Sequence, residues 1–157
     1  MLLALSSCAD KAENPFTKLH QQLDRDSLAL NKIEQQYPEK IRTDFHWCDS
    51  MLQYVPQESV DAFFDTLNLA QAYLHQFDEM LPIMRHDLSY IRKQLINLQY
   101  DIDHHFLNDS LSALYLEEET ASADTLHYRV LYFQDRLPKQ DKALQSLKKD
   151  LRKAASK

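Results

Sequence analysis

The sequence contains no glycine, although glycine makes up about 7% of an average protein. Glycine supplies the positive-φ positions of tight β-turns and the close backbone approach of phosphate-binding loops. Its absence therefore argues against a β-rich fold with many hairpins. It also excludes the P-loop, the dinucleotide-binding fingerprint and the G-x-S-x-G nucleophile elbow, which all require glycine. A sequence without glycine therefore favours helices and is compatible with few of the common enzyme motifs.

Basic residues are also missing from a long internal stretch. Positions 43–84 hold seven acidic residues and no lysine or arginine, whereas positions 139–157 hold seven basic and two acidic residues. If the last two helices fold back about a midpoint near residue 114, the basic tail lies beside Asp78 and Glu79. We therefore expect pairing within the chain rather than an external anion site. The net charge of −6 also disfavours nucleic acid as a partner.

Apolar residues recur at alternating steps of three and four, which is the a/d pattern of helices packed in coiled-coil geometry. Thirteen of fourteen positions are apolar in the first run: Val60, Phe63, Leu67, Ala70, Leu74, Phe77, Leu81, Met84, Leu88, Ile91, Leu95, Leu98, Ile102 and His105. Seven of eight are apolar in the second run: Leu126, Val130, Phe133, Leu137, Gln140, Leu144, Leu147 and Leu151. The register passes unchanged through Pro82 and Pro138, so each run predicts one helix kinked at its proline. A helical hairpin at Pro82 is the alternative.

The first part of the chain predicts one kinked helix or two. Asn14-Pro15 gives an N-cap followed by proline at the first helical position. An apolar stripe continues beyond Pro38 with a slip in register: Phe16, Leu19, Leu23, Leu30, Ile33, Tyr37, Ile41, Phe45, Cys48, Leu52 and Val55. Residues 107–122 are interpreted as a connector, with Ser122 as the N-cap of the last helix.

These patterns predict an all-α protein. We expect an elongated antiparallel bundle or coiled coil of three long, proline-kinked helices at 14–55, 57–108 and 121–154, or of four or five shorter ones. Apolar side chains beyond the a/d positions suit three packed helices better than two. Residues 14–154 are expected to form a single domain.

The chain begins with an apolar run that ends in Leu5-Ser6-Ser7-Cys8 and is followed by a polar stretch. This layout resembles a bacterial lipoprotein signal peptide ending in a lipobox, where a small residue precedes a cysteine that becomes acylated. The apolar run is shorter than the apolar region of a signal peptide, which has about 7–15 residues, and it lacks a basic residue. Either the start codon lies farther upstream, or the match is a coincidence and the chain has a free N-terminus.

The resemblance implies that residues 1–7 are the remnant of a signal peptide, that Cys8 is the site of lipid attachment and that 8–13 is a tether. Several acyl chains on Cys8 would give stable membrane attachment. Ala9 does not act as an inner-membrane retention signal by the sorting rule of some Gram-negative lipoproteins, which favours the outer membrane. Cys48 then has no disulfide partner and is expected to be a buried thiol, with a Cys8–Cys48 bridge as the alternative.

Two Asp-x-x-His pairs, Asp101 with His104 and Asp124 with His127, are candidates for metal ligands because they lie at equal distances from the expected turn. They resemble distantly the carboxylate-x-x-His pairs of di-metal helical bundles, which use Glu and add a Glu from each of two further helices. Their heptad positions do not point squarely into the core, and His105 alone falls at a core position. We therefore expect no metal site, no cofactor and no catalytic residue.

The sequence thus predicts a non-enzymatic, lipid-anchored protein of the bacterial envelope that serves as a helical scaffold, spacer or partner-binding module. The expected partners are a membrane, through the lipid, and another protein or a second copy of the chain. One alternative is a cytoplasmic coiled-coil interaction protein that starts at Met1. Another is a metal-binding helical bundle built on the two Asp-x-x-His pairs.

Overall fold

The computed structural model describes residues 14–156, without the side chains at positions 57–59 and 62. Within these residues every regular element is helical: α1 (Pro15–Gln36), α2 (Pro38–Met51), α3 (Gln57–Asp103), α4 (Asp109–Ala155) and a short 3-10 turn (Leu52–Tyr54) between α2 and α3. The predicted all-α class is confirmed. No helix in this part of the chain is both long enough and apolar enough to cross a membrane.

Local sequence signals set where two of the helices begin. The side-chain oxygen of Asn14 accepts a hydrogen bond from the backbone N–H of Phe16 at 2.9 Å, and Pro15 takes the first helical position. Asn108 caps α4 in a similar way by accepting from the N–H of Leu111 at 3.0 Å. Such caps satisfy backbone donors that have no partner inside the helix.

The first segment divides into α1 and α2 at Tyr37. Pro38 has no backbone N–H and occupies the first position of α2. Helical hydrogen bonds still cross the break: the N–H of Tyr37 donates to the carbonyl of Ile33 at 3.1 Å, and the N–H of Ile41 donates to the carbonyl of Tyr37 at 2.8 Å. Of the two predicted alternatives, the structure has two helices in close succession.

The two longest helices each continue through an internal proline. Pro82 lies within α3 and Pro138 within α4, and each of these helices has 47 residues. At 1.5 Å per residue such a helix is about 70 Å long. The prediction of an unbroken register is confirmed, and a helical hairpin at Pro82 is wrong.

Polar contacts between the helices define their directions. Residue numbers rise together along α1–α2 and α4, so these are parallel: Gln22 contacts Asp124 at 3.1 Å and Lys40 contacts Asp141 at 2.6 Å. Residue numbers run in opposite directions between α1–α2 and α3: Asp24 contacts Arg92 and Arg42 contacts Asp78. The same holds between α3 and α4: Gln76 contacts Tyr132 at 3.1 Å and Asp87 contacts Arg129 at 2.8 Å. The chain is an up-down-up bundle in which α1 and α2 together form the first leg.

A hydrophobic core fills the space between the three legs, and the a/d positions supply it. Phe77 of α3 and Phe133 of α4 are almost fully buried and meet edge to face, with ring centroids 5.2 Å apart. Every a/d position from Val60 to Ile102 and from Leu126 to Leu151 is buried or half-buried. Burial stabilises the fold by about 1.5–3 kcal/mol for each large apolar side chain. Both predicted stripes are confirmed over these ranges.

The turn between α3 and α4 is shorter than predicted and lies earlier in the chain. It comprises residues 104–108, and α4 begins at Asp109. The predicted connector 107–122 is wrong because most of it is helical. Its Leu, Ala and Glu residues are strong helix formers, and Asn108 starts the helix by capping it.

Because the turn lies earlier than predicted, two further predictions are wrong. Ser122 is not an N-cap, since its hydroxyl donates to the carbonyl of Glu118 at 3.0 Å inside α4. His105, predicted at a core position, lies exposed in the turn with a φ of 58°. Because the helices fold back near residue 106 instead of 114, every predicted pairing between α3 and α4 moves by several helical turns.

Candidate functional site

Two aspartates lie at core-facing positions of α1 and α2, and their partners are on α4. Asp26 is 3% exposed and Asp44 is 5% exposed. The Asp26 carboxylate accepts a hydrogen bond from Nδ1 of His127 at 2.7 Å, and the Asp44 carboxylate is bound by Lys148 and Gln145. Buried carboxylates need such partners because an unpaired charge inside a protein is strongly destabilising. The two groups fix α4 against the first leg.

Sequence reasoning missed both aspartates, although their spacing carried a signal. Asp26 follows Leu23 by three positions and Asp44 follows Ile41 by three positions, which is a core step of the a/d pattern. A carboxylate at such a position predicts a buried polar pair. Its partner is on a distant helix, so spacing along the chain does not identify it.

The four candidate metal ligands do not come together. Asp101 and His104 lie at the end of α3 and the start of the turn, whereas Asp124 and His127 contact α1. Because the turn lies earlier than predicted, the two pairs do not face each other. Among residues 14–156, no group of three or more His, Cys, Asp and Glu side chains is placed to hold a metal ion.

The basic end of α4 binds inside the bundle, at an acidic residue other than those predicted. Lys148 binds Asp44, whereas Asp78 is bound by Arg42 of α2 at 2.6 Å. Pairing within the chain is confirmed. Asp78 and Glu79 as the partners of the tail are wrong, because the earlier turn changes which residues of α4 lie beside them.

Trp47, the one tryptophan of the chain, lies against this basic end and next to Cys48. Nζ of Lys148 is 5.3 Å and Cζ of Arg152 is 5.1 Å from the centre of its ring, within the range of cation–π contacts. Cys48 is a free, buried thiol, as predicted, and burial raises its pKa to about 11. Cys8, the predicted site of lipid attachment, lies outside the described residues.

Tyrosines follow the groove between α3 and α4, and we name them the tyrosine seam: the exposed Tyr90, Tyr128 and Tyr132 and the half-buried Tyr73. The rings of Tyr73 and Tyr132 are 6.2 Å apart, and the guanidinium of Arg136 lies 5.8 and 5.7 Å from their centres. Tyr128 is 71% exposed. Exposed aromatic side chains held by their neighbours are typical of surfaces that bind other proteins.

A second exposed apolar surface lies where α3 turns into α4, and we name residues 100–119 the hairpin end. Phe106, at the tip of the turn, is 67% exposed. The rings of Tyr100 and His104 stack with centroids 3.9 Å apart, and Phe106 lies 5.9 Å from His104. Three more apolar side chains of this region are exposed: Leu111, Leu114 and Tyr115. The start of α1 lies at the same end of the bundle, since Gln22 contacts Asp124.

The hairpin end also contains a partly buried carboxyl group. Oε2 of Glu119 is buried and has no hydrogen-bond partner among the described residues. Burial, and secondarily the charge of Glu118, raise the pKa of Glu119. Acidic groups are therefore crowded at this end of the bundle.

Comparison with known proteins gives no match to this chain among family models, curated proteins or solved structures. The functional argument therefore depends on the two exposed surfaces and on where the chain enters the bundle.

Proposed function

We propose that this chain is a non-enzymatic, lipid-anchored protein of the bacterial envelope, in which the three-helix bundle is a spacer and a scaffold for binding a partner. The observation that carries the proposal is the place where the chain enters the bundle. α1 begins at Pro15, seven residues after Cys8, at the hairpin end. A lipid on Cys8 would hold the bundle by one end, and about 70 Å of helix would extend from the attachment point.

Binding of a protein partner is supported by the exposed aromatic side chains of the tyrosine seam and the hairpin end. Contiguous exposed apolar groups mark interaction surfaces, and aromatic residues contribute most strongly at their centres. The buried titratable groups pair across helices, Asp26 with His127 and Asp44 with Lys148. This pairing supports a packing role for them rather than acid–base catalysis.

The outer membrane is the proposed location, because Ala9 after the cysteine lacks the retention signal known for inner-membrane lipoproteins. This part of the proposal rests on Ala9 together with the lipobox resemblance of Leu5 to Cys8. Attachment through several acyl chains would keep the protein on the membrane without a spanning helix.

Mass spectrometry of the N-terminal peptide tests the anchor. The protein is expressed from its complete upstream reading frame in a Gram-negative host, beside a Cys8→Ser variant as the matched control. We expect a diacylglyceryl, N-acylated Cys8 in the outer-membrane fraction, and we expect the variant to lose both the modification and the membrane association. An unmodified chain that retains residues 1–7 would contradict the proposal and favour the cytoplasmic interaction protein.

A further inference from the structure

The negative charge of the hairpin end is not balanced by the rest of the described chain. Between Lys93 and Arg129 the sequence has no lysine or arginine but has seven carboxylates, six in the hairpin end and Asp124 just beyond it: Asp101, Asp103, Asp109, Glu117, Glu118, Glu119 and Asp124. Within residues 14–156, no salt bridge joins any of the seven to a basic side chain. The hairpin end therefore presents a concentrated negative charge to its surroundings.

Two of these carboxylates lie where they weaken the helix. Asp101 and Asp103 are in the last turn of α3, which contains no basic residue. The C-terminus of a helix carries a partial negative charge, so acidic side chains there are unfavourable. Such a placement is explained by a role in binding better than by a role in folding.

Exposed apolar side chains accompany these acidic groups. Phe106 is 67% exposed, Leu114 is 48% exposed and Tyr115 is 40% exposed. The stacked rings of Tyr100 and His104 lie beside Phe106 and form a preorganised aromatic platform. Aromatic faces bind apolar groups and also attract the cationic heads of Lys and Arg.

We propose that the hairpin end binds a basic, amphipathic segment of a protein partner. Its Lys or Arg side chains pair with the carboxylates, and its apolar side chains cover Phe106 and the residues around it. This inference rests on the partner-binding role proposed above, but it is independent of the lipid anchor. Charge complementarity selects this occupant, because anionic lipid surfaces and nucleic acids attract basic rather than acidic segments.

The charges around the tyrosine seam do not indicate the chemistry of a partner. The charged neighbours of the seam are paired: Asp87 binds Arg129 at 2.8 Å across the groove, and Arg136 lies 3.7 Å from the carboxylate of Asp135. They leave no unbalanced charge there to specify what covers the exposed rings. The hairpin end is therefore the surface for which the structure specifies the chemistry of the partner.

A synthetic peptide tests the proposal on the full chain. The probe is a dye-labelled amphipathic helix of leucine and lysine about 18 residues long, which corresponds to about 27 Å. Fluorescence anisotropy at low salt measures its dissociation constant. We expect the chain to bind this peptide and not a counterpart in which glutamate replaces every lysine. Binding is expected to weaken as salt is added, because exposed charges are screened.

Two kinds of variant separate charge from apolar contact. In the Asp103→Asn/Asp109→Asn/Glu118→Gln variant, which neutralises three exposed carboxylates, we expect the dissociation constant to rise about tenfold. For Phe106→Ser we expect a rise of at least about threefold. All four side chains are exposed, so helix content by circular dichroism is expected to stay unchanged.

Matched controls remove the same groups from the opposite end of the bundle. The Asp49→Asn/Asp61→Asn/Asp65→Asn variant also neutralises three exposed carboxylates. Tyr54→Ser removes an aromatic side chain that is 64% exposed, close to the value for Phe106. For both controls we expect the dissociation constant to change by less than about twofold, because these side chains lie at the far end of helices about 70 Å long, out of contact with the peptide and more than one Debye length away.

Several outcomes would overturn the proposal. If both triple charge variants weaken peptide binding equally, the peptide is attracted by the net charge of the protein and not by the hairpin end. Dimerisation of the chain in sedimentation, abolished by Phe106→Ser, would make a second copy the occupant. Binding to vesicles of phosphatidylethanolamine and phosphatidylglycerol, lost in the same variant, would make a lipid surface the occupant. Lipid attachment is measured separately on Cys8, so a missing anchor with intact peptide binding would contradict the envelope proposal alone.

Discussion

Two acidic stretches of this chain are alike in sequence and different in structure. Positions 43–84 and positions 94–128 each contain seven carboxylates and no lysine or arginine. In the first stretch, Asp44 is buried and bound by Lys148. In the second, no carboxylate makes a salt bridge within the described residues. An acidic stretch therefore indicates an external partner only after the pairs made inside the fold have been taken into account.

The direction of α4 produces this difference. The helix starts at the hairpin end with residues that include no Lys or Arg before Arg129, and its basic residues follow toward the other end. The last turn holds Arg152 and Lys153, where positive charge also complements the helix dipole. The end of the bundle away from the turn is thus balanced in net charge by the basic residues of α4, although Asp49, Asp61 and Asp65 make no salt bridge among the described residues, and the hairpin end is left acidic.

The largest contrast between the two ends is expected in thiol reactivity. Cys48 lies in the balanced half, and burial raises its pKa to about 11, so little reactive thiolate forms near neutral pH. Ser110→Cys places a cysteine at an exposed position of the hairpin end. In a Cys8→Ser background at pH 8, we expect Cys48 to react with a disulfide reagent at least about 100-fold more slowly than that introduced cysteine.

Absorbance of the released thiolate gives both rates in one experiment. Unfolding the chain in urea provides the control, since it should make the two cysteines react at similar rates. Similar rates in the folded protein would mean that water reaches the core around Cys48.

The next largest effect concerns the buried carboxylate. Asp44→Ala leaves Lys148, whose side chain is 20% exposed, without its carboxylate partner. We expect the free energy of unfolding in urea to fall by about 2 kcal/mol, less than for a fully buried pair because the ammonium keeps some contact with water. Glu118→Ala at the exposed hairpin end is expected to change it by less than about 0.5 kcal/mol.

A second substitution shows where that loss comes from. Lys148→Met combined with Asp44→Ala is expected to restore part of the stability, because it removes the unpaired charge and keeps an apolar chain of similar length. Equal losses for Asp44→Ala and Glu118→Ala would remove the contrast between the two ends.

The smallest expected effects have opposite signs at the two helix ends. Asp103→Asn removes an acidic charge from the C-terminus of α3, and we expect the unfolding free energy to rise by about 0.3–0.5 kcal/mol. Lys153→Gln removes a favourable charge from the last turn of α4 and should lower it by a similar amount. Thermal unfolding at low salt measures both changes. About 1 M salt should suppress both changes, because the Debye length falls to about 3 Å. Changes of the same sign in the two variants would contradict the explanation by the helix dipole.

The helices and their core faces could be predicted from the sequence because hydrophobic periodicity is a local property. The a/d register from Val60 to Ile102 survives Pro82 unchanged, and the start of α1 follows from the cap at Asn14. A register continued over many turns leaves one face of each helix apolar, and that face must pack against the others. The all-α bundle follows from these local facts.

The turn and the polar pairs could not be predicted in the same way. Asn108 lies in the predicted connector, and asparagine is typical both of a loop that ends one helix and of a cap that begins the next; here its side chain caps the start of α4. Both functions use the same residue types, and only the fold distinguishes them. The partners of Asp26 and Asp44 on α4 depend on where the chain reverses direction. Because the position of that turn was not predicted correctly, neither the two buried pairs nor the unbalanced charge of the hairpin end could be predicted.

The most direct test of partner binding at the hairpin end is photo-crosslinking in cells that express the chain from its full reading frame. A benzophenone amino acid is placed at Phe106 or at Tyr54, which are 67% and 64% exposed at opposite ends of the bundle. We predict a crosslink from position 106 to a protein segment rich in Lys and Arg, identified by mass spectrometry, and little or none from position 54. Equal crosslinking from both positions, or a product at position 106 that joins an acidic segment, a lipid or a second copy of the chain, would contradict it.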